Sequence, residues 1–282
     1  MKSKLLSAPY IVWMILFTLI PLCIVFYYAL TDSITGEFTL ANLASMGTYL
    51  PIFLRSIWLS LFASLICLVI GYPVAYFIAQ CKPLTQRFLE MLIMLPMCMS
   101  FLLRTLAWVA MLEDTGIINN FIRALGLSPL PLIRNNGAVI LGMVYNYLPY
   151  MILPLYTVIM KIDKRLVEAA LDLGCTPWQA FYKVVIHEIT PGIVSGALMA
   201  FTMSLDDFVI SYFVYGPRFV TLPVEIYNYT KKPLQPKIYA LFTLLFAAIL
   251  IVMVLMNLLQ ERDAKRSREN RRAFRRGKKV GA

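Results

Sequence analysis

Histidine and acidic side chains are scarce in this chain, which has one His and 15 Asp+Glu in 282 residues. With His187 alone a multi-histidine metal site cannot be built, and no H-E-x-x-H or carboxylate–histidine cluster appears. Nothing matches G-x-x-x-x-G-K-[ST], and there is no nucleophile elbow, so the chain carries neither a phosphate-binding loop nor a hydrolase motif. The five cysteines, Cys23, Cys67, Cys81, Cys98 and Cys175, show no C-x-x-C pairing. A disulfide framework and a zinc site are therefore not expected. Charge as a whole is low: 15% of residues are charged, against about 25% in soluble domains. No connection between apolar blocks is long enough to fold as a soluble domain.

What the chain has in abundance is apolar residues, 60% of the total. They fall in blocks at about 8–30, 56–80, 88–112, 137–160, 189–214 and 238–259. Crossing a hydrocarbon layer of about 30 Å takes roughly 20 apolar residues in a helix. Inside that layer the backbone must satisfy its own hydrogen bonds, and the alternation of barrel strands is absent. The fold class expected is an all-α membrane protein with about six transmembrane helices. The first block is too long for a signal peptide, and no small-residue cleavage site closes it. The third is interrupted by Arg104, where the span could stop and continue as a surface helix.

Loop charge orients the chain. With the N-terminus inside, 18 of the 26 Lys+Arg fall on the cytoplasmic side, including ten in the tail from Arg262 to Lys279. This bias predicts both termini cytoplasmic. The chain then divides into a membrane domain, 1–260, and a basic cytoplasmic tail, 261–282. The tail reads as a topology determinant that also touches membrane lipid, and no nucleic-acid partner is expected.

The connection 161–188 is long for a loop between membrane helices. Leu166, Ala169, Ala170 and Leu173 recur at helical spacing, and Gly174 suits a helix C-terminus. Thr176 and Pro177 supply an N-cap and an N1 proline for a second helix. The segment is expected to form two short helices at an angle, an amphipathic unit suited to anchoring or docking.

Glu168-Ala169-Ala170, Gly174 and Val184-Val185-Ile186 resemble the EAA loop of ABC importer permeases. The resemblance gives Glu168, Ala169, Ala170 and Gly174 the role of coupling to a cytoplasmic ATPase. His187 departs from it, standing where that family usually has proline. Gly71-Tyr72-Pro73-Val74-Ala75, the stretch from Leu95-Pro96 to Arg104, and Leu148-Pro149-Tyr150 resemble the B-type permease of spermidine/putrescine systems. Ser204 to Ser211, with Gly216-Pro217 and Leu222-Pro223, is similar to the C-type permease. The resemblance covers nearly the whole chain and implies a multi-pass protein of the bacterial inner membrane, without a catalytic site. It also implies cytoplasmic ATP-binding subunits, a second permease and an external solute-binding protein. ATP and Mg would be used by the ATPase, with no cofactor in this chain.

Asp206 and Asp207 fall within the fifth apolar block, where ionisable groups are costly and face a polar cavity or partner. At 1.5 Å per residue Asp206 lies roughly 21 Å up from Gly192, and Tyr145 on the fourth span lies within about a turn of that depth. Carboxylates beside Tyr145 and Tyr147 would suit a small organic cation by charge pairing and cation–π attraction. An Asp paired with Arg104 would instead only brace the bundle. Two further alternatives stay open: an importer permease for another small solute, and a secondary transporter using Asp206 or Asp207 as an ion site.

Overall fold

Serines and small apolar residues recur along one stripe of the second apolar block: Ser56, Ser60, Ala63, Ser64, Cys67, Gly71 and Ala75. All are buried in a helix spanning Leu50–Gln80. Between membrane helices, association comes from close van der Waals packing, which small residues permit. That stripe is how the sequence writes a helix–helix contact where lipid is the solvent.

The computed structural model describes residues 9–31, 37–39, 47, 49–215 and 221–231, with isolated helical positions between 239 and 258. Among these the secondary structure is helical, apart from one isolated bridge between Thr31 and Phe38. Among the described residues four helices are long and apolar enough to cross a membrane: α1 (Pro9–Ala29), α2 (Leu50–Gln80), α6 (Asn136–Ile159) and α8 (Pro177–Leu205). Between α2 and α6 lie α3 (Pro83–Cys98), α4 (Phe101–Leu112) and α5 (Ile117–Ala124). Helix α7 (Lys164–Asp172) precedes α8, and α9 (Leu222–Thr230) follows it. The sixth apolar block, beyond its isolated positions, and the basic tail lie outside the described residues, as do Gly216 and Pro217.

The third block departs from expectation. Pro83–Cys98 and Phe101–Ala124 form a pair bent by 89°. The break falls at Met99 and Ser100, both extended, rather than at Arg104, which is buried inside α4. Pro96 does not set the position: the helix runs on past it to Cys98, and the Met99 N–H still donates to the Pro96 carbonyl at the cap.

Two compact units divide the described residues. In the larger, α6 and α8 form the main contact. Met143, Met151, Leu155, Ile189, Ala200 and Ile210 are buried there with Ala63 and Cys67 of α2. Gly196 makes the approach possible, since a Cβ there would lie 2.8 Å from the Met151 sulfur. The smaller unit buries Ala29, Leu222 and Ala240, with Tyr49, Ile52 and Ile226 packed around them. The Tyr49 and Tyr229 hydroxyls meet at 2.8 Å. Helix α1 exposes apolar side chains all round, from Tyr10 to Tyr28. Only lipid or another membrane helix satisfies such a surface.

Candidate functional site

Two places in the larger unit hold the residues singled out by the sequence. The first is the hairpin of α7 and the start of α8. Asp163 caps α7 by accepting from the Arg165 N–H at 3.0 Å. The helix ends in a paired C-cap: Cys175 N–H donates to Ala170 O at 3.1 Å and Gly174 N–H to Leu171 O at 2.9 Å. That pattern requires a left-handed residue, and Gly174 has φ +84°. Thr176 then opens α8 in a capping box with Gln179, with Pro177 at the first helical position. The turn and both caps fall where the sequence put them.

The second arm is not a separate short helix. It runs on through a π-helical turn at Phe181–Val185 into the membrane helix, and His187 lies on an exposed face without ending anything. Neither glycine nor proline stands at 187, and Pro191 is absorbed within the helix. The wider π-helical turn lets one helix serve as both docking arm and span. Ala170 and Ala180 are buried where the arms meet, while Glu168 and Ala169 are exposed. Leu173 (86% exposed), Trp178 (74%) and Tyr182 are exposed on the hairpin. The Trp178 ring packs tilted against Phe181 with centroids 5.5 Å apart, and Phe181 lies 5.7 Å from Tyr72 of α2.

The second place is a break in the fifth apolar block. Helix α8 stops at Leu205 rather than running to 214, and Asp206 is its C-cap, with φ −85° and ψ 5°. A new helical turn starts at Val209 and continues as the π turn Ser211–Tyr215. Asp207 holds the junction. Its Oδ1 accepts from the Tyr147 hydroxyl at 3.0 Å and from Ile210 N–H at 3.4 Å. Its Oδ2 accepts from Ser211 N–H at 3.1 Å and Ser211 Oγ at 3.3 Å. Asp207 is 5% exposed, so these bonds stand in for water around a buried acid. Asp206, its neighbour, is exposed and its carboxylate accepts no hydrogen bond from the described residues.

Of the two tyrosines expected near the acids, the structure brings in Tyr147. Tyr145 does not join it: two residues along a helix turn the side chain about 200° away. It is exposed and packs edge-on to Trp108 at 5.2 Å. Tyr150 lies in a groove of about 450 Å³ with Leu153, Pro154 and Met199. The bracing ion pair with Arg104 is also absent among the described residues: Nε and Nη1 of Arg104 have no hydrogen-bond partner. Sequence reasoning missed Asn146, 1% exposed, which donates to Gly142 O at 3.0 Å. A polar residue inside an apolar helix was the available signal.

Residues 68–268 match the family model for the binding-protein-dependent transport system inner membrane component. The chain belongs to that family. The PotB spermidine/putrescine permease of Haemophilus influenzae is 33% identical over 217 residues, covering 73% of this chain and 75% of that one. The Escherichia coli PotB permease is 34% identical over 215 residues, covering 73% and 78%. The Escherichia coli putrescine permease PotI is 40% identical over 116 residues, 41% of each chain. In structure, the chain resembles a bacterial ABC transporter that imports alginate, with TM-score 0.73 at 19% identity over 93% of this chain and 96% of that one. At that identity the likeness speaks for the fold.

The protein is thus a multi-pass permease of the bacterial inner membrane, a transport component and not an enzyme. Membership of this family sets the secondary-transporter alternative aside. As the family's description says, the transport system it serves depends on a binding protein.

Proposed function

We propose that the chain forms half of the translocation path of an ATP-driven importer for small polyamines such as spermidine and putrescine. The observation that carries this reading is the unequal pair at the break in α8. Asp207 has its acceptors filled by Tyr147, Ile210 and Ser211, whereas Asp206 offers an open carboxylate one residue away. An open carboxylate within an apolar segment is a seat for an ammonium group, and desolvation strengthens that contact. The relatives named as spermidine/putrescine permeases support the same substrate class. In this assignment Asp206 meets the passing amine, and Asp207 with Tyr147 fixes the bend that presents it. Tyr145, on another face, packs with Trp108.

The hairpin of α7 and α8 serves as the coupling element. Glu168 and Ala169 lie exposed on one arm, Trp178 and Tyr182 on the other. Gly174 and Ala170 shape the turn between them, and an ATP-binding subunit docks on this surface. That subunit uses ATP and Mg. A second permease completes the path and an external solute-binding protein delivers the amine. Both termini are cytoplasmic in this assignment, the orientation that the loop-charge bias favours. Nucleotide-driven closure of the ATPase pair moves α8 directly, because one helix carries both the docking arm and, at its far end, Asp206. Differential binding in the two states then shifts the population between outward- and inward-facing forms.

The test is uptake of labelled spermidine into proteoliposomes holding the assembled importer and its binding protein, with and without ATP. ATP-dependent accumulation is expected. Equal accumulation without ATP, or uptake of another solute class in preference to amines, contradicts the assignment.

A further inference from the structure

Arg104 is a buried ionisable group to which the transport reading gives no part. It lies one turn into α4, 9% exposed, with Nε and Nη1 free of any hydrogen bond among the described residues. An unpaired cation in an apolar medium is strongly disfavoured, so its presence there points to a role in function. Its surroundings supply one. The guanidinium sits over the Phe101 ring, 5.6 Å from the centroid. Phe101 stacks on Tyr147 with centroids 6.4 Å apart, and the Tyr147 hydroxyl reaches Asp207 at 3.0 Å. Two aromatic rings therefore separate one positive charge from the acidic turn. No ion pair joins Arg104 to the acids among the described residues, and the rings form the contact path between them.

We propose that Arg104 is a specificity-determining residue of the path, offsetting one of the two aspartates so that the segment presents a single net negative charge. This deepens the polyamine reading and rests on it. A passing amine is attracted by Asp206, and each further ammonium group on the same molecule meets the repulsion of Arg104. The path then grades amines by their charge, and a triamine is held loosely enough to leave. The ring contact fits arginine better than lysine, because a planar guanidinium stacks on an aromatic face while keeping its charge. One unit charge acting across roughly 10 Å at an effective dielectric of about 20 changes an equilibrium by about tenfold.

The experiment compares spermidine, a triamine, with putrescine, a diamine, in the reconstituted importer carrying wild-type chain, Arg104→Gln, Arg104→Met or Arg104→Lys. Uptake is normalised to complex recovered by co-purification, and KM and maximal rate are measured for each amine. The neutral variants should assemble, since removing an unpaired charge leaves no partner orphaned. In them KM for the triamine should fall about tenfold relative to the diamine, with a lower maximal rate for the triamine. Arg104→Lys should keep the wild-type ratio. The inference is overturned if both neutral variants leave the ratio unchanged, if Lys behaves like Gln, or if neither neutral variant assembles. The last result would make Arg104 a structural residue. A wild-type importer that carries neither amine contradicts the polyamine reading as well, which separates the two failures.

Discussion

The hairpin at 163–185 and the acidic turn at 204–211 are both helix breaks, yet they are built in opposite ways. The hairpin is held by its own neighbours: every cap in it spans five residues or fewer, and its large side chains, Leu173, Trp178 and Tyr182, point outward. The acidic turn is held from afar as well as locally, by a tyrosine 60 residues away on α6, and its key acid is buried. A locally closed element can present a surface and be moved as a piece. A turn pinned by a neighbouring helix keeps its geometry only while the bundle is intact. The hairpin suits the transmission of motion, and the turn suits the fixed placement of a charge.

The comparison is broken most severely at Asp207. Replacing it by Ala strands the Tyr147 hydroxyl and the Ser211 N–H and hydroxyl in an apolar interior. Each orphaned buried group costs about 1–3 kcal/mol. Asp207→Ala is therefore expected to lower thermal stability of the detergent-solubilised chain and to reduce recovery of assembled complex. Wild-type stability would show that the turn is not held across the bundle.

Gly174→Val should act on the other region alone. A β-branched residue in the left-handed conformation costs roughly 1–2 kcal/mol. No neighbour stands within 4 Å of the added Cβ, so the strain is of the backbone itself. The hairpin should re-form differently, and co-purification of the ATP-binding subunit should drop severalfold while membrane insertion and thermal stability of the bundle stay near wild type. Unchanged ATPase recovery would remove the hairpin from the contact.

The hairpin's features were legible in the sequence because their causes are local. Gly174, Thr176 and Pro177 each announce a cap by residue type, and the apolar repeat from Leu166 to Leu173 announces the helix before them. What escaped was the continuation of the second arm. A π-helical turn at Phe181–Val185 has no residue signature, so nothing marked 187 as helix interior. The acidic pair was equally visible as charge in an apolar block. Its break was hidden because a helix end with neither glycine nor proline depends on what Asp207 finds to bond. Tyr147 lies in sequence beside Tyr145 and Asn146, and only the packing of α6 against α8 decides which of them turns inward. Arg104 was noticed and misread, since the bend falls before it, at Met99 and Ser100, and Arg104 is buried inside the next helix.

A smaller effect sharpens the contrast further. Thr176→Ala removes one side of the capping box with Gln179, which typically costs about 1 kcal/mol. Co-purification of the ATP-binding subunit should fall by less than in Gly174→Val, and bundle stability should not change. An effect as large as that of Gly174→Val would mean that the cap residue itself touches the ATPase.

The central claim is that the two adjacent aspartates divide the work, Asp207 holding the bend and Asp206 meeting the amine. It is tested most directly by Asp206→Asn, with labelled spermidine uptake measured per assembled complex. The amide keeps size and hydrogen bonding and removes the charge. Assembly and thermal stability should match wild type, while normalised uptake should fall ten- to hundredfold, the worth of one desolvated charge-assisted contact at about 1.5–3 kcal/mol. Unchanged normalised uptake, or a loss explained wholly by poor assembly, would contradict the account.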